Sequence, residues 1–440
     1  MAGKQDAGIT EATPLMKRLS MDESARGQAT VGETILNLSK TCMGTGCLAL
    51  AYACQQGGVL VYCFGLIAIA AWNVYAVDRL VRCRGYLLQD AAVGENDNTD
   101  QEQITTHVSN LERNTTRRKV PKESTSTLGK VAFLAFGPTG LEVIDILMMI
   151  LLMGIVVSYL SAVISFLSDT PLTIGPLGDA LVVATLMLLL SLVPDLGHLS
   201  GISGAGLMVL GGTFIVIAGY GIHDYWTSSQ HGASLPLWPT SKTGLSHFFG
   251  VCVFGFGTVP LTYNFQESMR NPDLIVPSTA GALGGVALAY IILGVGLSLL
   301  FPTVSGEVLH ELPAAGWLPT TTRLAMALVV VLTAPLLIVP AGELLEGKFH
   351  GNKVLVRCGV CLVGVFVAVL LPTFVQVLAF VGCACVGFVS FCVPPILHMR
   401  LLWRLRKDDS RWMIANFLFD CAMLTWGLIA TVLGTIFTLS

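Results

Sequence analysis

Eleven apolar runs constrain this chain more than anything else in it. They lie at about residues 33–56, 58–80, 141–167, 178–194, 200–222, 245–265, 278–301, 320–345, 354–371, 374–398 and 412–437. Most are about twenty residues long, the length a bilayer requires of a helix. In hydrocarbon every backbone N–H and C=O must find a partner inside the protein, so runs of this kind become helices. The composition agrees. Of 440 residues, 53% are hydrophobic and 12% charged, where soluble domains carry roughly 25% charged residues; the mean hydropathy is +0.72. The expected fold class is an all-α polytopic membrane protein. Residues 33–437 form its eleven-span domain, 1–32 a disordered cytosolic tail, and 83–130 a long, mostly disordered cytosolic loop between spans 2 and 3.

Span 1 is unlike an ordinary membrane helix. It places Gly44 and Gly46 near its middle, and a glycine in a helix interior costs about 1 kcal/mol relative to alanine. When the chain is displaced so that Gly44 lies on Gly255, Gly46 meets Gly257, Leu50 meets Leu261, Tyr52 meets Tyr263, and Gln55 meets Gln266. That pairs span 1 with span 6. Five spans per repeat is an odd number, so the two copies run through the membrane in opposite directions. The reading is two helices broken at mid-depth, with both glycine pairs serving the same role; glycine-rich packing seams are the plainer alternative. A broken helix presents N–H groups that suit a carboxylate and carbonyls that suit an ammonium or a cation. The residues around the breaks, Met43, Gly44, Thr45, Gly46 and Cys47 with Phe254, Gly255, Phe256, Gly257 and Thr258, are apolar or small. They offer no counter-charge to a charged side chain. A zwitterion with a neutral side chain, a neutral amino acid, fits them best.

Orientation follows from lysine and arginine. With eleven spans, all but three of the 25 basic residues (Lys40, Lys242 and Arg323) fall on the face that carries the N-terminus. The positive-inside rule places that face in the cytosol. The sequon Asn114-Thr115-Thr116 then lies in the cytosol, out of reach of glycosylation. The first thirty residues lack the apolar core of a signal peptide, so span 1 is expected to act as its own insertion signal. Within the tail, Glu11 to Met16 resembles an acidic dileucine-type sorting signal, a pattern short enough to arise by chance. The twelve cysteines lie mostly in apolar runs and form no disulfide framework. Cys383 and Cys385 would point about 200° apart on a helix, which makes a shared metal ion a poor reading of that pair.

Several stretches together resemble the amino acid/auxin permease family, also called the amino acid transporter transmembrane family. They are Asn37 to Gly46 followed by Leu48, Leu50 and Tyr52; Phe136-Gly137-Pro138 with Asp145, Gly154 and Tyr159; Leu332-Thr333-Ala334-Pro335 with Pro340, Glu343 and Glu346; and Leu371-Pro372 with Pro394-Pro395 and His398. The resemblance implies a LeuT-type fold, a 5+5 inverted repeat with an eleventh helix. It also implies a secondary transporter working by alternating access. Tyr159 is expected beside the substrate, with a core tyrosine as the alternative. In sodium-coupled relatives an asparagine often stands where this chain has Lys40 and helps hold the ion between spans 1 and 8, with a hydroxyl such as Thr333 as its partner. A fixed ammonium at that coupling-ion site implies transport driven by protons or by the amino acid gradient, without sodium. The alternative is that Lys40 snorkels to the headgroups.

Glu142 and Asp145 are expected near the cytosolic interface. Glu343 and Glu346 either form an inner gate with a basic partner or end their helix in water. His198, His223, His231, His247 and His310 read as loop histidines. A receptor that senses an amino acid through the same fold is the alternative function. Cofactor, metal, nucleic acid and enzymatic chemistry have no motif here. The membrane is the plasma membrane or an endolysosomal or vacuolar one. Tags at Gln5 and in the 83–130 loop should be protected from protease in sealed right-side-out cells, and Asn114 should carry no glycan. A glycan there would reverse the topology.

Overall fold

The computed structural model describes residues 27–100, 126–192, 199–227, 235–349, 352–371, 373–404 and 411–440. The tail motif at Glu11–Met16 and the sequon at Asn114 lie outside these residues, as do His198 and His231. Nine helices among the described residues are long and apolar enough to cross a membrane. Span 4, Pro176–Ser191, is shorter at 16 residues, and span 1 is not a single helix. Together they account for the eleven runs.

Span 1 opens with a capping box. Thr30 Oγ1 accepts from the Glu33 N–H at 3.3 Å, and the Thr30 N–H donates to Glu33 Oε2 at 2.8 Å, which satisfies two N–H groups at the helix start. The first half runs Val31–Cys42, two residues earlier than the apolar run suggests. A 3₁₀ turn follows at Thr45–Ala49, then the second half at Leu50–Gly57. Span 6 repeats the plan. Lys242–Gly255 ends at Phe256, a 3₁₀ turn covers Val259–Leu261, and Thr262–Ser268 completes the crossing. Pro260 stands inside that turn and could not continue a regular ladder.

Three boundaries differ from the sequence reading. The second span's helix continues as Val59–Asp100, and a helix Thr127–Phe136 precedes span 3 (Pro138–Ser168), so both ends of the stretch assigned to the 83–130 loop are helical. Span 8 is Trp317–Thr333 followed by Pro335–Phe349. Pro335 lacks the N–H that would extend the first segment, so the helix is interrupted there. Span 10 passes from Phe374–Val381 through a π-helical stretch, Gly382–Cys392, into Val393–Arg404. The wide stretch lies where spans 6 and 10 touch: a Cβ on Gly250 would strike the Ala379 backbone, and one on Gly382 would strike Gly250.

Contacts at the ends of the spans fix which face each one starts from. Arg270 N–H donates to the Ala29 carbonyl at 2.9 Å. Arg84 Nη1 donates to Gln266 at 3.1 Å, and Thr127 donates to Glu267 at 2.6 Å. The start of span 1, the end of span 6 and the loop ends therefore share one face, called here the basic face. On the other face Lys242 lies over the Phe437 ring of span 11 at 5.6 Å.

The eleventh span, Arg411–Leu439, is pinned by buried charge. Asp420 is fully buried. Its Oδ1 accepts from the Tyr75 hydroxyl at 2.6 Å and lies 2.9 Å from Arg79 Nε; its Oδ2 meets His398 Nδ1 at 2.5 Å. Arg79, counted from sequence among the basic residues of the cytosolic face, is thus a buried partner. Removing one member of a buried ionic group strands the others at a cost of roughly 3–5 kcal/mol. Asp420→Ala should therefore lower the detergent-solubilised melting temperature sharply, and Asp420→Asn less so, in a thermal unfolding assay.

Candidate functional site

One cavity of about 810 Å³ opens among spans 1, 3, 5, 6 and 8. That size suits a small organic ligand with water. The floor is the break in span 1. The helix ladder ends with the Met43 N–H donating to the Ser39 carbonyl at 3.0 Å, and Gly44 is extended, at φ −118° and ψ −156°. Gly44 has open space where a side chain would project, with nothing within 4 Å of a built Cβ. Thr45 is buried, and its hydroxyl has no hydrogen-bond partner among the described residues. A buried hydroxyl costs free energy unless something pairs with it, and a ligand seated against Thr45 would supply that partner.

The walls meet at Tyr159 and Thr333. Both residues line the cavity. Thr333 Oγ1 gives its proton back to the carbonyls of Val329 and Val330, at 2.9 and 3.1 Å, the residues just before the interruption at Pro335. Its lone pairs are left to accept from a ligand.

Of the sequence-predicted site residues, Lys40, Met43, Gly44, Thr45, Tyr159 and Thr333 line this cavity. The rest do not. Gly46 faces the Phe254 ring, 3.3 Å from a built Cβ. Cys47 is buried with its thiol 3.6 Å from the Tyr290 hydroxyl. Gly255 packs on Tyr290, and Phe256 is buried against the same ring at 5.4 Å. Gly257 abuts Val386. Thr258 is buried with an unpartnered hydroxyl. Span 6 reaches the cavity through the residues after its break instead: Pro260, Leu261, Tyr263 and Asn264. The two glycine pairs, equivalent in the repeat, differ in their surroundings at the first glycine of each. Gly44 borders open space, whereas Gly255 has the Tyr290 ring 2.9 Å from where its Cβ would be.

Tyr290 of span 7 went unnoticed in the sequence. Its hydroxyl donates to the Cys42 carbonyl at 2.7 Å, with the Gly255 carbonyl at 3.2 Å. These are carbonyls at the ends of the first half of span 1 and the first half of span 6. Its own carbonyl accepts from the Tyr62 hydroxyl of span 2 at 2.7 Å. A tyrosine inside an apolar run gives no local signal of such a role; only the two breaks, brought together, define it.

Other readings also change. His247 is a buried residue of span 6, its Nδ1 2.8 Å from the Tyr52 hydroxyl, and His310 belongs to an ionic cluster. Glu346 has a basic partner, Arg357 of span 9 at 3.4 Å. Glu343 and Asp145 line the cavity.

Two broken helices of opposite direction, packed around one cavity, define a LeuT-type membrane transport fold. The solved structure of MhsT in complex with L-phenylalanine shares it, with a TM-score of 0.54 over 94% of this chain and 99% of that one, at 12% identity. The family model for transmembrane amino acid transporter proteins matches residues 27–440, and the chain belongs to that family. Among curated relatives, Arabidopsis thaliana amino acid transporter AVT3B is 23% identical over 99% of this chain and 98% of its own length. AVT3C from the same plant is 25% identical over 45% of each chain. Vacuolar amino acid transporter 3 of Saccharomyces cerevisiae is 27% identical over 54% of this chain and 36% of its own.

A side chain at Gly44 would start in open space and project into the cavity, while one at Gly255 would displace a hydrogen-bonded tyrosine. Gly44→Phe should cut amino acid uptake by about tenfold or more, the equivalent of 1.4 kcal/mol, with the melting temperature unchanged. Gly255→Val should lower the melting temperature itself. Uptake and thermal unfolding measured on the same preparations separate the two.

Proposed function

We propose that this protein carries neutral amino acids across its membrane by alternating access, driven by protons or by the amino acid's own gradient rather than by sodium. The distribution of charge along the cavity carries the reading. Its charged lining residues lie toward the basic face: Lys40 is one turn before Gly44, Asp145 about four turns before Tyr159, and Glu343 about three turns beyond Thr333. The deeper part, around Gly44, Thr45, Tyr159, Met326, Val330 and Thr333, holds no ionisable side chain except the tyrosine. A substrate carboxylate is placed at the N–H groups of the turn that begins at Thr45, and its side chain against Met326 and Val330. A second net charge in the substrate would find no partner there.

Lys40 supports the choice of driving ion. It lines the cavity next to the break in span 1, and a fixed ammonium repels a sodium ion from the space shared with Thr333. The membrane is proposed to be vacuolar or endolysosomal, with the basic face in the cytosol. The yeast relative's name supports the first statement and the positive-inside rule the second.

In proteoliposomes, uptake of large neutral amino acids should exceed that of aspartate and lysine. It should persist when choline replaces sodium, and rise when the side opposite the basic face is acidified. Strict dependence on sodium would sink the reading of Lys40; a preference for charged substrates would sink the reading of the site.

A further inference from the structure

The face opposite the cavity mouth is closed by the loop between spans 7 and 8. Its 3₁₀ turn, Val308–Glu311, buries Val308, Leu309 and Leu312 in the same core as Cys47 and Leu48 from the break in span 1. Gln55 of span 1 straps it down, donating to the Phe301 carbonyl at 2.8 Å and accepting from the Val304 N–H at 2.9 Å. Arg323 of span 8 holds it from behind, donating to the carbonyls of Leu309, Leu312 and Pro313 at 2.9–3.1 Å.

Glu307 lies in this seal. It is 1% exposed, and neither carboxylate oxygen has a hydrogen bond of good geometry among the described residues. A carboxylate buried this way is costly as an anion and tolerable as a neutral acid. The groups around it form a short chain. His310 Nε2 lies 3.4 Å from Glu307 Oε1 and 3.0 Å from Ser165 Oγ, while His310 Nδ1 meets Asp169 Oδ2 at 2.6 Å. Asp169, at the end of span 3, is also 3.5 Å from Arg323. Glu311, on the same turn, is engaged elsewhere by the Ser305 N–H. His223 and Asp224, at the outer end of span 5, are exposed, and the turn of span 1 beneath the loop brings no charged side chain. Asp169 and Glu311 are half-exposed, so the chain of groups reaches the solvent of this face.

We propose that Glu307 is a proton-binding site whose occupancy locks the loop between spans 7 and 8 shut. The ligand is a proton taken from the side opposite the basic face, and the contact it stabilises is the seal over span 1. Burial pushes the Glu307 carboxyl up to about 8, the nearby Ser165 hydroxyl and Arg323 opposing this and Asp169 adding to it. Opening the loop would expose the carboxyl to water and return it to the ordinary carboxylate range, about 4.3. The value is raised in the closed form, so the proton's contribution to closure is complete below that ordinary range. It is lost as pH rises through the raised value. Acid outside the basic face therefore favours the form closed there and open on the basic face, a bias toward delivering substrate to that side. This bias rests on the alternating-access reading above; the proton site itself does not require transport.

The test is hydrogen–deuterium exchange of the full chain in lipid nanodiscs, followed on peptides covering 301–312. Rates are compared at about pH 5 and about pH 9, on either side of the raised value, after correction for the intrinsic pH dependence of exchange. The wild-type loop should exchange at least about tenfold more slowly at the acid pH, a tenfold being one pH unit of linkage. Glu307→Gln, a permanently neutral side chain of the same shape, should exchange slowly at both. His310→Gln should keep the pH dependence. Equal wild-type protection at both pH values overturns the proposal. So does a pH dependence that survives Glu307→Gln, or one that disappears with His310→Gln alone, which would put the proton on the imidazole. The readout needs no substrate: failed uptake would leave this site standing, and proton-driven uptake with a pH-insensitive loop would remove this site alone.

Discussion

The structure depends on a hydroxyl that satisfies the backbone where two helices stop. Interrupting a helix inside a bilayer leaves carbonyls that water would otherwise solvate, each worth several kcal/mol if left bare. Tyr290 meets this need for both breaks at once, at the carbonyls of Cys42 and Gly255. A hydroxyl has one proton, so the 2.7 Å bond to Cys42 takes most of it and the 3.2 Å contact shares it. Tyr62 holds the Tyr290 backbone in turn, and Ser298, two turns on in span 7, donates to the Ala51 carbonyl in the second half of span 1 at 3.0 Å. Span 7 thus acts as the rail on which both halves of span 1 are registered against span 6.

With the backbone satisfied from behind, the break is free to face forward into the cavity. There the polar groups are few: the Thr45 hydroxyl, the start of the following turn, and the hydroxyls of Tyr159 and Thr333. The charged residues lie nearer the cavity's mouth. Charged side chains line the cavity near the basic face, and neutral polar groups line it at mid-depth.

Two ionic groups lie away from the cavity, one toward each face. The Asp420 cluster joins spans 2, 10 and 11 near the basic face, fully buried and internally paired. The Asp169–His310–Arg323 cluster joins spans 3 and 8 to the loop on the other face, partly exposed, with Glu307 left over at its centre. The first is arranged as a fixed clamp. The second contains a group whose burial is acceptable in only one protonation state, which is how a contact becomes sensitive to its surroundings.

Hydrophobic run length and the glycine pairs were legible in the linear sequence because they are local. A bilayer reads about twenty residues at a time, and glycine weakens a helix wherever it stands. Those two facts were enough for eleven spans, their inverted repeat and the break beneath the cavity, and the set of short motifs placed the chain in its family. Which side of each break faces the cavity was not legible. Gly44 and Gly255 are equivalent in the repeat, yet one borders open space and the other a tyrosine ring, because Tyr290 of span 7 reaches the first break through its hydroxyl but packs its ring on the second. The helices flanking the 83–130 stretch and the burial of Arg79, His247, Glu307 and Arg323 were hidden for a related reason. A charge next to an apolar run reads as an interface marker until the partner that neutralises it, distant in sequence, is brought alongside by packing. Sequence therefore determined where the chain crosses the membrane and where it breaks; only the tertiary structure decided which groups the breaks, the cavity and the buried charges share.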